Sequence, residues 1–129
     1  MKLQVGVKIL IERDGTYLFL RRSRDFKPGP QKWDIPGGRI EIDETLEAAL
    51  AREVLEETSL SFQPPIKLLA AQDIFAPAKD IHVVRLTYSG TALGDVKISD
   101  EHDDYRWMTK AEILSEEHVD SYLREVLEQ

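Results

Sequence analysis

Residues 52–57 read REVLEE, which sets Arg52, Glu53, Glu56 and Glu57 within less than two helical turns. A glutamate-rich helix is ordinarily a solvated face, so the direction of these acids matters. At about 100° per residue, with Glu53 at 0°, Glu57 falls near 40° and Glu56 near −60°. On the same wheel Ala49 and Leu46 fall among the acids, with Leu50 near 60° and Val54 near 100°. The acids therefore share the sector of the apolar stripe, with Glu53 at its middle. A charge turned inward costs several kcal/mol unless it is paired or bound to a metal, and three neighbouring carboxylates also repel one another. A divalent cation relieves both problems, and hard oxygen ligands suit Mg²⁺ or Mn²⁺. Zinc would want nitrogen or sulfur ligands. The chain has no cysteine, and His82, His102 and His118 have no partners at ligand spacing, so no role is assigned to them.

The helix carrying these acids is read from about Glu44 to Ser59. It holds good helix formers and no Gly or Pro, and Asp43 or Thr45 can cap its start. Before it, LQVGVKILIE and TYLFLRR read as strands joined by a hairpin at Asp14-Gly15. SRDFKPGPQ reads as a loop and KWDIPGG as a short strand closed by proline and glycines. After the helix, Ile66–Phe75 and Ile81–Ser89 read as strands with FAPAKD between them, followed by the TALGD turn and the polar loop KISDEHDD. YRWMT reads as a short strand, and Ala111 to Leu114 and His118 to Gln129 as helices. The irregular alternation of strands and helices implies an α/β fold, a mixed sheet with helices packed on it, in a single domain over residues 1–129.

Net charge is −7, unevenly spread: residues 1–40 carry nine Lys/Arg against four Asp/Glu, residues 41–129 eight against twenty. An acidic chain is a poor general binder of nucleic acid, because counterion release needs a basic surface. A basic segment facing an acidic one can instead clamp a small anion if a metal neutralises the acidic side. The N-terminal MKLQVGVKILIERDG reads as a strand, not as a signal peptide or membrane span. A cytoplasmic location is expected, with no membrane partner.

The stretch from Gly38 to Leu60 resembles the Nudix box of MutT-like pyrophosphohydrolases. Gly38 opens it; Glu44 follows after five residues and Arg52-Glu53 after seven more; Val54, Glu56-Glu57 and Leu60 complete it. One position departs, Ser59, where the family has a glycine that ends the helix in a left-handed conformation. The resemblance extends to the strand-turn-strand start, to WDIPGG and to EHDDYRWM.

The resemblance implies an α/β/α sandwich with the box as loop–helix–loop, and Mg²⁺-dependent hydrolysis of a nucleoside diphosphate linked to another group. By position, Glu53, Glu56 and Glu57 would be metal ligands, joined by a backbone carbonyl of Gly37 or Gly38; one of the three, most often the equivalent of Glu53, would also hold the attacking water. Arg52 would orient the carboxylates, Glu44 would support the loop–helix junction, and Glu101 would add a further metal-binding or basic carboxylate. Arg22 matches a position that contacts substrate in MutT-like members. Because successive strand residues face opposite ways, only one of Arg21 and Arg22 can face the site. Lys32 and Arg39 flank the approach to the box and could steer phosphate. Trp33 and Trp107 are read as core, and packing is the default for Phe75. Nucleoside triphosphates are the leading substrate class, ADP-ribose-like or isoprenoid diphosphates the alternative, and a catalytically silent nucleotide-binding module a third. The isomerases on this fold use a cysteine, which argues against isomerisation. Many relatives are dimers, so a homodimer is compatible with the resemblance.

Overall fold

The computed structural model describes residues 1–26 and 28–129; Lys27, within the loop read from SRDFKPGPQ, lies outside the described residues. The chain order is β1 (Lys2–Arg13), β2 (Thr16–Arg22), β3 (Trp33–Asp34), β4 (Gly37–Arg39), α1 (Leu46–Thr58), β5 (Ser61–Ala76), a 3₁₀ turn (Pro77–Lys79), β6 (Ile81–Leu93), β7 (His102–Met108), α2 (Lys110–Leu114) and α3 (Ser121–Leu127). The strands form one mixed sheet ordered β3-β2-β1-β6-β5, with β4 also on β1 and β7 on β2. β1 and β6 run parallel, and every other pairing is antiparallel.

Alternation along β1 and β2 feeds two cores, one on each face of the sheet. Val7, Ile9 and Ile11 of β1 and Leu18 and Leu20 of β2 pack with Ala49, Leu50 and Val54 of α1. Leu10 and Phe19 point the other way, against Trp33, Ile113, Leu123 and Leu127. The sandwich of helix, sheet and helix expected above is therefore present. The Asp14-Gly15 hairpin is present too, with φ of 53° and 79° at those residues.

Several boundaries differ. α1 begins at Leu46 because the Thr45 side chain accepts from the Ala48 N–H, which fixes Thr45 as the cap. KWDIPGG divides at Ile35-Pro36 into β3 and β4, and β5 starts earlier than Ile66 and runs on through Pro64-Pro65. The prolines fit there because β5 is an edge strand and its ladder with β6 shifts register between Gln63 and Lys67. The last helix starts at Ser121 because Asp120 caps it, accepting from the Tyr122 and Leu123 N–H groups.

α1 also corrects the helical wheel. Leu46 is 38% exposed, and the buried arc runs through Ala49, Leu50, Val54, Glu57 and Thr58. Glu57 sits at the middle of that arc, while Glu53 lies on its flank and Glu56 points outward. The helix ends as the family glycine would end it: Ser59 adopts φ 65° and ψ 8°, and its N–H bonds to the Leu55 carbonyl. Serine has a Cβ where that conformation prefers none. Ser59→Gly should therefore stabilise the protein by up to about 1 kcal/mol, despite losing the exposed Ser59 Oγ bond to the Lys97 carbonyl. A thermal melt checks this, and an unchanged or lower Tm would contradict it.

Candidate active site

α1 holds the box side chains against the β1–β4 edge, and the contacts are specific. The Arg52 guanidinium donates from Nε and Nη2 to both carboxylate oxygens of Glu44, at 2.7 and 2.9 Å, from Nη1 to Glu53 Oε1 at 2.9 Å, and from Nη2 to the Arg39 carbonyl at 3.1 Å. This fork locks the loop entering the helix to the helix itself. The Arg52 bond holds the Glu44 carboxyl down at about 2, and Glu44 in turn raises Arg52 further. Gly38 leaves room for Glu53: a Cβ there would lie 2.6 Å from the Glu53 carboxylate carbon. Glu56 reaches Arg52 Nη1 at 3.6 Å, and its side chain is 59% exposed.

Glu57 is the buried acid, 5% exposed, and its Oε1 accepts the Gly37 N–H at 3.0 Å. Burial pushes its carboxyl up to about 8, against the opposing pull of Lys8 and the Gly37 bond. Loop 97–102 brings further groups to it. Lys97 and Ser99 N–H groups bond to the carbonyls of Thr58 and Glu57 at the end of α1, and Ser23 N–H bonds to the Glu101 carbonyl. Glu57, Glu101 and His102 thereby each offer a ligand atom within 4.8 Å of the others. His102, which received no role from the sequence, is 8% exposed, and its Nε2 lies 3.7 Å from Glu57 Oε2. Burial lowers the His102 imidazole to about 4. A buried carboxylate with one hydrogen bond, facing a second carboxylate and an imidazole, is a donor set that fits a divalent cation.

These groups fix a pH response in the metal-free protein. The folded Glu57 carboxyl titrates near 8, above its unfolded value of 4.5, so it supports folding while protonated, and that support is lost as pH rises through 8. His102 acts oppositely, but only between about 4 and its unfolded 6.5. From pH 6.5 to 8 His102 no longer opposes Glu57, and metal-free protein should lose stability as pH rises, by on the order of 1 kcal/mol or more. Melting in chelator checks this: Tm should fall across that window in the wild type and hold level in Glu57→Gln.

A cleft of about 720 Å³ opens beside these acids. Lys8, Arg22 and Arg39 line it together with Glu53 and Glu101, so cations of the N-terminal part and acids of the remainder share one cleft. Lys8 Nζ donates to Asp34 Oδ2 at 3.1 Å and to the Ile35 carbonyl at 3.3 Å. Burial alone would raise Asp34, but Lys8 and Arg85 outweigh it and hold the carboxyl low. Farther along, Arg85 Nη1 meets Asp120 Oδ1 at 3.0 Å. None of Lys8, Asp34, Arg85 and Asp120 was picked out from the sequence.

The two arginines of β2 separate as alternation requires. Arg22 faces the cleft, whereas Arg21 turns to the other side, pairing with Asp103 at 2.9 Å over the Trp33 ring. Asp103 also accepts from Gln31 Nε2. Lys32 lies in a side pocket that shares Arg22, Asp34 and Asp120 with the cleft. Trp33 is buried, and Trp107 packs half-buried under Arg13. Phe75 is 58% exposed and stacks on His82, away from the cleft.

The family model for the NUDIX domain matches residues 2–129. The chain belongs to the NUDIX domain family. Among similar proteins, the nucleoside triphosphatase NudI of Escherichia coli K12 is 29% identical over 125 residues, covering 88% of this chain and 87% of NudI. The crystal structure of a MutT protein from Methanosarcina mazei superposes with a TM-score of 0.85 at 33% identity, covering 98% of this chain and 91% of that one. A MutT NUDIX hydrolase from Burkholderia pseudomallei gives 0.85 at 27% identity, covering 100% and 98%. Among the described residues of this NUDIX domain, no helix is long and apolar enough to cross a membrane.

Proposed function

We propose that this NUDIX hydrolase cleaves a phosphoric anhydride bond of nucleoside triphosphates, using a divalent cation, Mg²⁺ or Mn²⁺, held at the end of α1. The observation that carries the reading is the buried Glu57 carboxylate beside Glu101, which lines a cleft shared with Lys8, Arg22 and Arg39. Glu57 and Glu101, with Glu53 and the Gly38 carbonyl in the same cleft, are the groups that would hold the cation, and Glu56, pointing outward beside Arg52, would have to swing inward to join them. When bound, it neutralises phosphate oxygens and lowers the pKa of coordinated water.

The chain's own residues supply the rest. Arg22, Arg39 and Lys8 attract and orient the polyphosphate, with Lys32 at the mouth. Glu53, fixed by Arg52 and seated against Gly38, is poised to hold the attacking water and accept its proton, a role worth roughly 10² to 10⁴ in rate. Arg52 and Glu44 position these carboxylates without reaching the substrate. The triphosphate preference is supported by the likeness to NudI, described as a nucleoside triphosphatase.

A screen of nucleoside triphosphates, nucleotide sugars, ADP-ribose and isoprenoid diphosphates, each with Mg²⁺ and with Mn²⁺, tests the reading. Triphosphates should turn over fastest. Faster cleavage of another class would overturn the substrate assignment, and nucleotide binding without turnover would favour the silent module.

A further inference from the structure

Beyond the carboxylates of the box, the α1 end holds a nitrogen donor with unusual surroundings. Two of the four buried polar side-chain atoms that lack a hydrogen-bond partner among the described residues lie in one turn, Ser99 Oγ and His102 Nδ1. The His102 backbone is pinned at the start of β7, its N–H on the Ser99 carbonyl and its register opposite Arg22. The residue is 8% exposed. Its Nε2 is beyond hydrogen-bond distance of the nearest Glu57 oxygen, at 3.7 Å. A buried imidazole with neither ring nitrogen hydrogen-bonded to the protein is rare, and one of its nitrogens lies within 4.8 Å of carboxylate oxygens of both Glu57 and Glu101.

We propose that His102 supplies a ring nitrogen to the divalent cation held by Glu57 and Glu101, making a mixed oxygen–nitrogen ligand set that favours Mn²⁺ over Mg²⁺. The proposal rests on the metal reading of the proposed function and refines it. All-oxygen sites suit Mg²⁺, whereas an imidazole adds affinity for transition ions and little for Mg²⁺. A cation also supplies a partner for Nε2, which faces Glu57 without a hydrogen bond to it.

The test is pulsed EPR of the Mn²⁺-loaded protein, prepared with natural and with ¹⁵N-labelled histidine, alongside Mn²⁺ and Mg²⁺ titrations of the wild type and His102→Gln. The expected result is a nitrogen coupling that switches isotope with the label and is absent in His102→Gln. Mn²⁺ affinity should fall by about tenfold or more in the variant, with Mg²⁺ affinity changing far less. Bound Mn²⁺ without histidine coupling overturns the role of His102 while leaving the carboxylate site intact. Failure of Mn²⁺ to bind the wild type overturns both. If His102→Gln does not fold, the labelled wild-type spectrum still decides.

Discussion

Glu57→Gln should lower metal-dependent turnover by about a thousandfold while the protein stays folded. Glutamine keeps the size of the side chain and can still accept the Gly37 N–H, so the β4–α1 junction retains its bond. What it removes is the negative charge at the centre of the buried arc, next to Glu101 and His102. The same exchange at Glu56, 59% exposed and touching only the edge of Arg52, should cost much less. Saturating-metal kinetics on the two variants, with circular dichroism as the fold control, check this ordering. Turnover of Glu57→Gln within tenfold of wild type would contradict the assignment.

Gly37→Ala should be the most damaging single-methyl change, costing about 3 kcal/mol or more. Gly37 has φ 146°, which side chains rarely adopt, and it pairs with Lys8 across the β1–β4 ladder. A Cβ there would lie 2.0 Å from the Val7 carbonyl oxygen and 2.7 Å from Lys8 Cα, both backbone atoms that cannot swing away. Relief requires β4 to separate from β1, which also withdraws the Gly37 N–H from Glu57. Denaturant unfolding should show the loss, and a midpoint near that of wild type would contradict it. Gly38→Ala first meets the Glu53 carboxylate, a side chain rather than backbone, so it should displace Glu53 from Arg52 and its effect should fall on activity more than on stability.

Local signals in the chain were strong where chemistry and period agreed. Asp14-Gly15 announced its turn because both residues tolerate positive φ. The carboxylate helix announced itself through formers, cap and spacing, and the Nudix resemblance identified the family. The helical wheel placed Glu53 and Glu57 on the inner side but wrongly turned Glu56 inward and centred the arc on Glu53, because it could not show how far the sheet covers the helix. The packing of Thr58 and Leu60 into the core turns the buried centre toward Glu57.

Contacts between distant segments were not legible. The charged pairs Lys8–Asp34 and Arg85–Asp120 join residues 26 and 35 apart in sequence, and only the β1–β6 crossover and the α3 cap bring them to one cleft. His102 has no partner at ligand spacing in the sequence. Its adjacency to Glu101, already a candidate, was the available signal. Alternation showed that only one of Arg21 and Arg22 could face the site, the resemblance favoured Arg22, and Arg22 is the one that lines the cleft.

Anomalous diffraction from a crystal soaked in Mn²⁺ bears most directly on whether acids turned inward at the end of α1 form a cation site. The expected map shows a peak among Glu57, Glu101 and the neighbouring box carboxylates. A map with no peak there, and with Glu53, Glu56 and Glu57 extended into solvent, would contradict the site and the hydrolytic role built on it.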